Sequence, residues 1–79
     1  MDRPYQDKFR ELVLKIAYYR KLRGMTQEQL AEAIGMSAVF ISHVEAPNID
    51  RTVSLGTLFA IAEVLDVPIY KFFLFDENI

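Results

Sequence analysis

The strongest constraint on the fold is a tight series of helix-boundary residues between Gly24 and Ser54. Thr26 is a good N-cap, and Gln29 three positions later completes a capping box, in which each end of the motif satisfies a backbone N–H of the other. Gly35 suits the left-handed residue that closes a helix, and Ser37 caps the next one almost at once. Thr26 to Gly35 leaves room for only about two helical turns. A segment punctuated in this way is restricted to short helices that leave each other at steep angles.

Periodicity extends the helical reading along the chain. Phe9, Leu12, Val13, Ile16 and Tyr19 share one face of a first helix from about Tyr5 to Arg23, closed by Gly24. Leu30, Ala31 and Ile34 form the stripe of the second helix, and Ile41 and Val44 that of the third, which Pro47 stops shortly after Glu45. Met36 is expected to join Leu30, Ile34, Ile41 and Val44 in locking this pair onto the core, with small Ala31 at the helix crossing. A loop follows over residues 46–53. Ser54 caps a fourth helix with Leu55, Leu58, Ile61, Ala62 and Leu65 as its stripe. A short aromatic helix is expected at about 69–74, after the break at Asp66-Val67-Pro68. The prediction is an all-α single domain, 1–79, with five helices and the paired short helices at about 26–45.

Composition narrows the function classes. Hydrophobic residues at 52% against charged residues at 25% describe a globular chain. With no cysteine and one histidine, neither a disulfide framework nor a zinc site is expected. No catalytic constellation and no Gly-rich phosphate loop is present, so neither enzymatic activity nor a cofactor is expected. No apolar run spans a bilayer, and MDRPYQDKFR lacks the apolar core of a leader, so a cytoplasmic protein with no membrane partner is expected. Seventy-nine residues leave no room for a separate sensing domain, so no small-molecule ligand is expected. The net charge is −2, yet residues 1–51 hold eight of the nine basic residues. The distribution of charge bears on nucleic-acid binding more than the total does.

The segments Thr26-Gln27-Glu28-Gln29-Leu30-Ala31, Gly35-Met36-Ser37, Ile41-Ser42-His43-Val44-Glu45 and Ser54-Leu55-Gly56-Thr57-Leu58, in this order, carry a family resemblance. From about Ile16 to Phe73 the chain resembles the Cro and phage-repressor-like helix-turn-helix regulators, also called the xenobiotic-response-element family. The resemblance implies a five-helix, lambda-repressor-like domain that binds double-stranded DNA in a sequence-specific manner, as a small bacterial or phage-type transcriptional regulator and repressor.

It also implies roles for individual residues. Gln27, beside Thr26 at the start of the second helix, matches a glutamine that bonds a DNA phosphate. The third helix, from its cap Ser37, matches the recognition helix, with Ala38, Val39, Ser42 and His43 at the base-reading positions. Ala38 and Val39 offer only apolar contact, such as to thymine methyls, which leaves Ser42 and His43 as the polar readers. Asn48 and Arg51 (with Thr52) are the phosphate-contact candidates of the following loop. Arg20 and Glu45 match a salt bridge that joins the first helix to the third. Duplex binding is expected to weaken steeply with salt.

Several positions keep a plainer reading. Gln27 and His43 could be surface residues without a DNA role, and Phe40 packs beside Tyr19 or stands out toward DNA. Lys8, Arg10 and Lys15 read as a solvated face. Ile69, Phe72, Phe73 and Phe75 are too many apolar residues for one short helix to bury, so some are expected to serve a homodimer interface. The competing function is a protein-interaction module of the same fold, such as an antitoxin-like partner.

Overall fold

A computed structural model describes residues 5–46 and 53–75. Among them are four α-helices, α1 (Gln6–Leu22), α2 (Gln27–Ala33), α3 (Ala38–Glu45) and α4 (Leu55–Leu65), and no strand. The last described element is a 3₁₀ turn, Ile69–Phe73. The expected fifth helix is therefore one tight turn rather than an α-helix: five residues between Pro68 and the extended Leu74 are too few to establish an i→i−4 ladder.

The sequence signals explain the helix ends. Thr26 Oγ1 accepts from the Gln29 amide at 3.0 Å, and Gln29 Oε1 accepts from the Thr26 amide at 2.8 Å. Ser37 Oγ and Ser54 Oγ each accept from the amide three residues on, that of Phe40 and of Thr57, at 3.1 Å. Gly24 and Gly35 hold φ of 73° and 74°, where a side chain is disfavoured. At each, two amides fold back onto the helix end: Met25 N–H donates to Arg20 O at 3.1 Å, and Met36 N–H to Ala31 O at 2.8 Å. Asp66 repeats this geometry at the end of α4, with φ of 56° and Val67 N–H donating to Ala62 O at 3.0 Å. The sequence marks that site as a break, and the structure shows it as a left-handed helix cap.

One core joins all five elements. Ile16, Leu30, Ile41, Leu58, Ile61, Leu65 and Phe72 are its fully buried centre, and Leu12, Val13, Ala31, Val44, Ala62 and Val67 complete it. Phe40 is half-buried against this core, as are Tyr19 and Ile34.

Three expected core residues stand outside. Phe9 is 40% exposed, because α1 is roughly 26 Å long against roughly 11–12 Å for α2 and α3, which cannot cover its first turns. Met36 is 43% exposed: Gly35 and the Ser37 cap fix the backbone of the turn and direct its side chain outward. Leu55 is exposed because the buried stripe of α4 begins one turn later, at Leu58.

Candidate nucleic-acid interface

The turn from Gly35 to Ser37 sets α3 against α2, and burial then divides the faces of α3. Ile41, Val44 and Glu45 are buried. Val39 and Ser42 are exposed, and Ala38 and His43 are half-buried. At 100° per residue, Val39, Ser42 and His43 fall within one outward sector, opposite Ile41 and Val44. Ala38 borders the core side of that sector. The four base-reading candidates thus lie beside one another, beginning at the capped end of α3. Asn48 and Arg51 lie outside the described residues.

Beneath this face is a buried polar network. Arg20 Nε donates to Glu45 Oε2 at 2.7 Å, and Arg20 Nη2 donates to Glu45 Oε1 at 2.9 Å. Arg20 Nη1 donates to the Met25 carbonyl at 2.7 Å, which ties the α1–α2 turn to the same guanidinium. Glu45 Oε1 also accepts from Gln27 Nε2 at 3.0 Å. Arg20 and Glu45 are each only 7% exposed, and among the described residues no buried side-chain polar atom lacks a partner. Two-pronged pairing with every remaining group satisfied is the condition under which a buried ion pair is tolerated. The network joins the end of α1, the first residue of α2 and the last residue of α3. It also sets a cation against the C-terminus of α3, where Glu45 alone would oppose the helix dipole.

A second arginine makes a contact that the sequence did not signal. Arg23 Nε donates to Leu65 O at 2.6 Å and its Nη2 to Asp66 O at 3.0 Å, clasping the end of α4 to the end of α1. Residues 24–46 contain no lysine or arginine, whereas Glu28 and Glu32 are exposed on α2. The last two arginines before the motif, Arg20 and Arg23, are thus both hydrogen-bonded within the fold.

The dimer candidates separate. Phe72 is fully buried and stacks edge-on against Tyr19 at 5.4 Å between ring centres, so it is a core residue of the monomer and not an interface candidate. Its place on the inner side of the 3₁₀ turn takes it out of reach of a partner. Phe73 is 44% exposed, beside exposed Tyr70 and Leu74, while Ile69 and Phe75 are half-buried against the core. Lys8 is not simply solvated: its Nζ lies 5.5 Å from the centre of the Phe75 ring.

Among the described residues no group of His, Asp or Glu could hold a metal ion, and no helix is long and apolar enough to cross a membrane. An open groove of about 420 Å³ runs along α1, lined by Glu11, Leu14, Lys15, Tyr18 and Tyr19, and involves neither His43 nor Glu45.

Residues 16–72 match the helix-turn-helix family. The chain is 34% identical over 64 residues to an uncharacterized HTH-type transcriptional regulator of Methanocaldococcus jannaschii, covering 81% of this chain and 94% of that one. It is 35% identical over 60 residues to the control protein C.SmaI of Serratia marcescens, covering 76% of this chain and 69% of that protein. The fold matches the crystal structure of a hypothetical transcription factor from Neisseria with a TM-score of 0.74 and 25% identity, over 94% of this chain and 84% of the other. With its capped α2–α3 pair and a match spanning most of its length, the chain belongs to the helix-turn-helix family, among the Cro and phage-repressor-like transcriptional regulators.

Proposed function

We propose that this protein is a sequence-specific, double-stranded DNA-binding repressor, that α3 enters the major groove, and that Val39, Ser42 and His43 meet base edges there. The observation that carries this reading is the division of α3 into a buried and an outward face, with the end of the helix held by Glu45. Val39 supplies an apolar contact suited to a thymine methyl, and Ser42 and His43 supply the hydrogen-bonding groups. Thr26, Gln27 and Ser37 flank this face and contact phosphate, and Asn48 and Arg51 are further phosphate contacts. The protein acts in the cytoplasm without cofactor or small-molecule effector, and it is not an enzyme.

Repression follows from occupying a promoter. Two half-sites require two copies, and exposed Phe73, with Tyr70 and Leu74 beside it, supplies apolar surface for a homodimer. Ile69 and Phe75 border that surface. The relatives' descriptions, transcriptional regulator and control protein, support a regulatory role.

The second reading is a protein-interaction module. It has one specific observation behind it: residues 24–46 lack lysine and arginine while Glu28 and Glu32 are exposed. Selection of genomic fragments by the purified protein, at two salt concentrations, separates the readings. Enrichment of a shared sequence, strongest at low salt, is the expected result. No detectable binding to its own promoter region or to random duplex at low salt would sink the DNA-binding reading, and co-purification with a second protein would then favour the other.

A further inference from the structure

The buried network has one member at the edge of the DNA-facing surface, Gln27. Its carboxamide nitrogen donates to Glu45 Oε1 at 3.0 Å. A carboxylate only accepts, so the NH₂ end of the amide must be the end that faces Glu45. That NH₂ carries two hydrogens about 120° apart in the amide plane. One is committed to Glu45, and the other has no partner among the described residues. Gln27 is half-buried, so part of the residue reaches solvent.

We propose that Glu45 is a positioning residue for DNA binding: its carboxylate holds the Gln27 carboxamide so that the second N–H is presented to a DNA phosphate. The inference rests on the DNA-binding reading above. Glu45 does not touch DNA in this arrangement. Its contribution is orientation and not donor strength, since donating one N–H to an anion leaves the other no stronger as a donor. Arg20 holds the carboxylate in place from the other side through Nε and Nη2. The ion pair thereby does more than lock helices. It fixes the rotamer of a side chain that would otherwise lose entropy on binding.

The test is a double-mutant cycle on affinity for a mixed-sequence duplex long enough for two half-sites, at low salt. The backgrounds are the wild type and the Arg20→Met/Glu45→Leu pair variant, in which an apolar pair of similar volume replaces the ion pair. Gln27→Ala is expected to weaken binding roughly five- to tenfold in the wild type and less than about twofold in the pair variant. A pair that merely held α3 in place would lower affinity in the variant yet leave the Gln27→Ala effect intact, and that result overturns the proposal. An absent Gln27→Ala effect in the wild type also overturns it. Wild-type protein that does not bind duplex at all overturns the DNA-binding reading as well, so the two failures are distinguishable. Should the pair variant not fold, the wild type alone decides. In a nitrogen-edited NMR spectrum, the Gln27 side-chain signals, assigned by their loss in Gln27→Ala, should shift on duplex addition, and unchanged signals overturn the proposal.

Discussion

Arg20 and Glu45, twenty-five positions apart, meet as a two-pronged ion pair with N–O distances of 2.7 and 2.9 Å, both residues almost wholly withdrawn from water. Burial makes the pair asymmetric in its consequences. Removing one partner strands the other charge in the core, which costs about 3–5 kcal/mol, whereas replacing both with apolar residues of similar volume is close to neutral. Arg20→Met or Glu45→Leu alone should therefore lower the urea midpoint sharply, and the combined variant should recover most of the loss. Single variants within about 1 kcal/mol of wild type would place the pair in the weak surface class.

Arg23 predicts a smaller, local effect. Its guanidinium bonds two carbonyls at the C-terminus of α4, Leu65 O at 2.6 Å and Asp66 O at 3.0 Å. Arg23→Ala should lower stability by about 1 kcal/mol and speed amide exchange in the last turn of α4 before the rest of the fold. Arg23→Lys should not restore it, since a single ammonium lacks the planar fork that spans both carbonyls. Uniform loss of exchange protection throughout the protein would contradict a local clasp.

What the sequence made legible is what short-range chemistry controls. The capping box of Thr26 and Gln29, the caps Ser37 and Ser54 and the left-handed Gly24 and Gly35 each act within a few residues, and each is visible as a spacing. The Arg20–Glu45 pair was legible only through resemblance. Contacts set by tertiary placement left no such trace. Arg23 reaches forty-two positions along the chain to Leu65, and Gln27 reaches eighteen to Glu45. Phe72 and Phe73 are adjacent and chemically identical, and only the direction of the 3₁₀ turn decides that one is core and the other surface.

The left-handed positions test the backbone argument. A Cβ at Gly35 would meet nothing within 4 Å, so the effect of Gly35→Ala is conformational alone. At φ of 74° it should destabilise by about 1 kcal/mol. Asp66 holds the same conformation with a side chain already present. Asp66→Gly should stabilise by about 0.5 kcal/mol, the relief being partly offset by the freer unfolded chain. Thermal unfolding of both variants checks the signs, and a neutral Gly35→Ala would mean that the turn relaxes to another conformation.

Phe72 and Phe73 should respond oppositely to truncation. Phe72→Ala removes a fully buried ring that packs on Tyr19, and should cost about 3–5 kcal/mol of folding stability. Phe73→Ser removes exposed apolar surface, so the unfolding midpoint of the dilute monomer should barely move while self-association weakens in sedimentation experiments. A Phe73→Ser variant that associates as the wild type does would remove this surface from the dimer.

Salt should weaken duplex binding less steeply than the sequence alone leads one to expect. Binding weakens with salt in proportion to the phosphates that lysine and arginine neutralise, with a slope in log K of about −0.9 for each. Residues 24–46 supply no such side chain, and Arg20 and Arg23 spend their guanidinium groups on Glu45, Met25, Leu65 and Asp66. Neutral donors such as Gln27 release no counterions. One or two cations for each half-site, Arg51 first among the candidates, give a dimer a slope of about −2 to −4. Arg51→Ala should then flatten the slope by about two, one for each copy, while Gln27→Ala lowers affinity without changing the slope. A wild-type slope steeper than about −6 would mean that lysines and arginines outside the motif face the duplex, with α1 (Lys8, Arg10, Lys15 and Lys21) as their source. A shallow slope with retained sequence preference would instead leave specificity to the outward face of α3, where Val39, Ser42 and His43 carry no fixed positive charge.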